Sequence, residues 1–79
     1  MFFQPSNLKS SSIAKFAVNA NTNQAMVSYK SNPQTTYLYD NVDIDAIVDV
    51  FLGEITSVGK FVNAYCKGNR VTAITAWLL

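Results

Sequence analysis

Few residues in this chain could do chemistry. Asp45 and Asp49 stand four apart, the spacing of neighbours on a helix, and paired carboxylates can share acid and base work or hold a cation. That work needs a cleft that raises the pKa of one member, and a short helix on a 79-residue domain gives little shelter, so neither catalysis nor a metal site is expected there. Cys66 precedes Lys67, whose charge favours a thiolate, but the chain has no histidine to serve as its base, and Cys66 reads as a small core residue. The same lack of histidine removes Ser-His-Asp and Cys-His catalysis and zinc sites built from Cys and His, and one cysteine makes no internal disulfide. Gly53, Gly59 and Gly68 are isolated, and Gly59-Lys60 lacks the upstream glycine of a phosphate loop. The chain is read as non-catalytic, with no cofactor and no small-molecule substrate. Tyr37 and Tyr39 are the remaining pair. Two apart on a strand, they share one face, where they either stack nucleic-acid bases or roof the core with their hydroxyls at the rim.

The elements that must position these residues follow from periodicity. Residues 1–12 carry Pro5 and several serines and read as an irregular arm pinned by Phe2 or Phe3. A period of two then sets in, with Ile13, Lys15 and Ala17 on one side and Ala14, Phe16 and Val18 on the other. The turn-rich Asn19–Asn23 leads to a second strand, in which Ala25, Val27 and Tyr29 alternate with Met26, Ser28 and Lys30. Ser31-Asn32-Pro33-Gln34 turns the chain into a third strand, Thr35–Tyr39. From Val42 the period becomes helical: Ile44, Ile47, Val48, Phe51 and Ile55 form one apolar stripe, Asp43 caps its start and Gly53 weakens its end. Ser57 caps a second helix with Val58, Phe61, Val62 and Tyr65 on one face, and Gly68 stands where a left-handed C-cap belongs. Val71–Leu79 is a fourth strand or a short helical end. The predicted class is α+β: an antiparallel three-stranded β-meander followed by two packed helices, with the tail as a possible fourth strand.

Composition agrees with a folded domain, since 49% of residues are hydrophobic and only 14% charged. No apolar run approaches the roughly 20 residues that cross a bilayer, and the N-terminus lacks the apolar region of a signal peptide. With a lone cysteine, the cytoplasm is the expected location. Charge is segregated. Asp40, Asp43, Asp45, Asp49 and Glu54 fall in one stretch, while Lys9, Lys15 and Lys30 precede it and Lys60, Lys67 and Arg70 follow it. The first helix therefore carries an acidic outer face. The net charge of +1 lacks the basic excess by which nucleic-acid binders neutralise phosphate.

The runs Ser11-Ser12-Ile13, Tyr37-Leu38-Tyr39 and Ser57-Val58-Gly59-Lys60-Phe61-Val62-Asn63, leading into Tyr65 and Lys67, resemble the KTSC domain over residues 10–70. That module is found at the C-terminus of some lysyl-tRNA synthetases and as a stand-alone protein in bacteria and their phages. The resemblance implies a small α+β domain with an RNA association, of bacterial or phage origin. Asp43 stands where the family commonly has proline, and residues 71–79 extend beyond its usual end as a hydrophobic extension.

Two functions follow as expectations. The leading one is an interaction module that docks on a larger bacterial or host protein or associates with itself, through Asp45 and Asp49 on the acidic helix and Trp77 and Leu78 in the tail. The alternative is an RNA or single-stranded nucleic-acid binding accessory domain, in which Lys60, Asn63, Lys67 and Arg70 meet phosphate while Tyr37 and Tyr39 stack bases.

Overall fold

The computed structural model describes residues 1–6, 10–55 and 57–78. Residues 7–9, part of the predicted arm and including the base Lys9, lie outside the described residues, as does Leu79 at the end of the tail. The fold is α+β. Four antiparallel strands, β1 (Ile13–Asn19), β2 (Gln24–Tyr29), β3 (Thr36–Tyr39) and β4 (Val71–Ile74), lie side by side in chain order. The first three form the meander. Two helical segments, α1 (Ile44–Phe51) and α2 (Val58–Phe61), intervene before β4.

The hairpins are made by local polar chemistry. At the β1–β2 turn, Asn19 Oδ1 accepts from the Asn21 and Thr22 N–H groups, and Asn23 takes a φ of 54°. Asparagine tolerates this left-handed backbone better than most residues. At the β2–β3 turn, Ser28 Oγ donates to the Pro33 carbonyl and Asn32 Nδ2 donates to Thr35 Oγ1.

Strict alternation does not hold in β1. Register shifts between Ile13, opposite Tyr29, and Lys15, opposite Ser28, so a bulge at Ala14 interrupts the pleat. Ile13 therefore joins Phe16 and Val18 in the core instead of pointing away from them with Lys15 and Ala17. Ser10 Oγ steadies the entry by accepting from the Ser12 and Ile13 N–H groups. The arm is pinned by Phe3, which exchanges two backbone hydrogen bonds with Val18 on the outer edge of β1 and stacks its ring on Phe51 at 4.5 Å.

α1 buries a different face from the apolar stripe that its periodicity marks. Asp43 caps it, accepting from the Asp45 N–H. Gly53, at a φ of 71°, ends it: Gly53 N–H bonds the Val50 carbonyl and Glu54 N–H bonds the Asp49 carbonyl, the paired bonds of a Schellman stop. The stop leaves Ile55 beyond the helix, where it packs against the core from the connecting loop. The face turned inward is Ala46, Ile47 and Val50, so of the five residues of the apolar stripe only Ile47 is fully buried within the helix.

α2 starts as the sequence indicates, with Ser57 Oγ accepting from the Lys60 N–H. Its continuation widens into a π-helical turn over Val62–Cys66, closed by Lys67 N–H on the Val62 carbonyl. Val58, Phe61, Val62 and Cys66 enter the core, while Tyr65 is exposed. Both helices lean on β1. The core between helices and sheet gathers Phe16, Val18, Val27, Ile47, Val50 and Phe61 among others.

Candidate interaction surface

α1 carries three parallel stripes. At about 100° per residue, Ala46, Ile47 and Val50 form the buried one. Next to it runs a second apolar stripe of Ile44, Val48, Phe51 and Leu52, which are 39%, 42%, 44% and 65% exposed. Beyond that lie the exposed carboxylates of Asp45 and Asp49. Phe51 is covered on one side by the Phe3 ring, so Ile44, Val48 and Leu52 form the open part of the stripe. Scattered exposed apolar residues are ordinary, but four at helical spacing on one short helix are a continuous patch. Sequence periodicity placed Ile44, Val48 and Phe51 in one stripe with Ile47 and Ile55 and did not single out Leu52.

The residues considered for nucleic acid fall into two unlike groups. Tyr37 and Tyr39 point to the helix side of the sheet, as neighbours of Val27 and Ala25 in the ladder. Tyr39 is 7% exposed and its hydroxyl lies 3.0 Å from that of Tyr29, while Tyr37 is half-buried with its ring edge-on to Tyr29 at 5.5 Å. Burial, reinforced by the hydroxyl pairing, pushes the Tyr39 phenol well above its ordinary pKa. The pair thus roofs the core, and Tyr39 has no open ring face for a base. Lys60, Asn63 and Lys67 are exposed along α2 and its π turn, and Arg70 is exposed just before β4. Lys60 also lines a shallow groove of about 280 Å³ with Glu54, Ile55, Phe61 and Tyr65.

Cys66 is fully buried, and burial pushes its thiol up to about 12, so it stays protonated and unreactive at neutral pH. Asn69 was missed by sequence reasoning. Its Nδ2 lies within hydrogen-bond distance of the carbonyls of Asp40, Asn41 and Tyr65, and its N–H bonds the Cys66 carbonyl, which ties the end of the helical segment to the loop between β3 and α1. The one available signal was its position directly after Gly68, which holds a φ of 95°.

The tail resolves into a strand and a return. Val71–Ile74 pairs with β3, with Thr36 opposite Ile74 and Tyr39 opposite Val71. The chain then bends, and the Trp77 ring sits half-buried with Lys15 Nζ 5.5 Å from its centre. Lys15 lies opposite Ser28, on the side of the sheet away from the helices, so the tail folds back across that second face. Trp77 is therefore engaged within the chain, whereas Leu78 remains 48% exposed. No helix among the described residues is long and apolar enough to cross a membrane. Comparison with known proteins found no matching family model, no similar curated protein and no matching solved structure.

Proposed function

We propose that this chain is a small, non-catalytic interaction module that docks a protein partner through the exposed side of α1. The observation that carries the reading is the open stripe of Ile44, Val48 and Leu52 beside Asp45 and Asp49. An apolar strip flanked by carboxylates suits an amphipathic segment with apolar residues on one side and lysine or arginine along its border, so that burial supplies affinity and charge supplies orientation. A cytoplasmic location, a larger bacterial or host protein as the partner and kinship with the KTSC domain belong to the same proposal, supported by the lone buried thiol and by the motif residues.

The test is a heteronuclear NMR titration of the labelled protein with a synthetic helical peptide of leucine and lysine at helical spacing. Shifts centred on Ile44, Val48 and Leu52, weakened several-fold by an Asp45→Lys, Asp49→Lys double variant, are expected. Shifts absent from α1, or salt-sensitive binding of single-stranded RNA that Lys60→Ala, Lys67→Ala and Arg70→Ala remove, would replace this reading with the nucleic-acid one.

A further inference from the structure

We infer that β4 is a pairing edge at which two copies of this chain join their sheets. This does not rest on the docking role of α1. In the β3–β4 ladder, the Asp40 N–H bonds the Arg70 carbonyl, so Arg70, Thr72 and Ile74 are the residues that turn their backbone groups toward β3. The alternate residues, Val71 and Ala73, turn their N–H and C=O outward, and among the described residues no hydrogen bond reaches those groups. Val71, Thr72 and Ala73 are all exposed. The tail that follows crosses the face of the sheet toward Lys15 and leaves the edge open.

The opposite edge is interrupted and β4 is not. On β1, the outward groups of Val18 are bonded by Phe3, and the bulge at Ala14 breaks the run. Shortness is the one protective feature of β4: no charge, no proline and no bulge lies within Val71–Ile74.

The second copy is the occupant because β4 complements itself. Placed antiparallel about a two-fold axis through Thr72, Val71 of each copy stands opposite Ala73 of the other, and the outward groups form four hydrogen bonds. Thr72 then faces Thr72, a favourable cross-strand pair, and Arg70 faces Ile74, so no charge meets its like. The axis stands perpendicular to the sheet, which keeps both helix layers on one side of a continuous eight-stranded sheet. The strand that α1 and α2 lean on is β1, at the far edge of the sheet. The contact is isologous and closes at two copies. A four-residue edge is small, so the dimer is weak and forms at high concentration.

Sedimentation equilibrium from about 10 µM to about 1 mM is the test, since a weak contact populates only toward the upper end. The mean mass is expected to rise from one chain toward two. Ala73→Pro removes an outward donor that makes no bond within the chain, so the variant should keep its circular-dichroism spectrum and melting temperature but stay monomeric. Thr72→Lys places like charges across the axis on an exposed position and should abolish the dimer even if the proline variant fails to fold. A constant one-chain mass at about 1 mM overturns the inference. So does association that survives Thr72→Lys but is lost in Val48→Lys, which would assign self-association to α1 instead.

Discussion

The hydroxyls of Tyr29 and Tyr39 meet at 3.0 Å on the helix side of the sheet, one from a half-buried ring and one from a ring at the core boundary. The two partners differ in what they lose when separated. Removing the Tyr29 hydroxyl leaves the buried Tyr39 hydroxyl without its partner, at about 1–3 kcal/mol, whereas the half-buried Tyr29 can turn to water when Tyr39 becomes phenylalanine, at about 0.5–1.5 kcal/mol. Tyr29→Phe should therefore lower stability more than Tyr39→Phe in urea denaturation. The reverse order would show that Tyr39 already reaches water.

Asn69 fastens two segments with one amide. Its two Nδ2 hydrogens are shared among the carbonyls of Asp40, Asn41 and Tyr65. Asn69→Ala should cost about 1–3 kcal/mol by the same denaturation measurement. Asn69→Asp should cost more, because it sets a carboxylate against three carbonyl oxygens. Equal stability of the aspartate variant and the native chain would remove the latch.

Alkaline pH should destabilise the fold through Cys66. The ordinary thiol titrates near 9.0 and burial moves the native one to about 12. Above the unfolded value the unfolded chain releases the proton first, so stability is flat below about pH 9 and falls between about 9 and about 12, with a slope of up to about 1.4 kcal/mol per pH unit from this group. Tyr39, also raised, acts in the same direction at higher pH. Denaturation curves for the native chain and Cys66→Ala should diverge in this window, the variant losing stability less steeply. Parallel curves would show that the thiol is not the responsible group.

Trp77 is the only tryptophan, so its emission reports the return of the tail. Its half-buried ring beside Lys15 should emit to the blue of the unfolded chain. Lys15→Ala should shift that emission toward the red and cost about 0.5–1 kcal/mol. Native emission matching that of the unfolded protein would place the ring in solvent.

Local chemistry was legible in the residues themselves. Asn19 turns the first hairpin by accepting from nearby N–H groups, Asp43 and Ser57 cap because their oxygens reach the next turn, and Gly53 stops α1 because it accepts a left-handed backbone, whereas the π turn ends at Lys67 in extended backbone and Gly68 serves the Cys66–Asn69 turn beyond it. These interactions span a few residues, so composition and spacing alone determined the meander and the positions of both helices. Tertiary packing decided the rest. Ile44, Ile47, Val48 and Phe51 are about equally apolar, and nothing within the helix says which of them meets the sheet; close packing of Ala46, Ile47 and Val50 chose, and left the others outside. The same holds for Ile13, redirected by a bulge that only pairing with β2 reveals. It holds too for Trp77, whose partner Lys15 lies at the other end of the chain. A side chain's environment is set by residues far away in sequence, and only the folded chain brings them together.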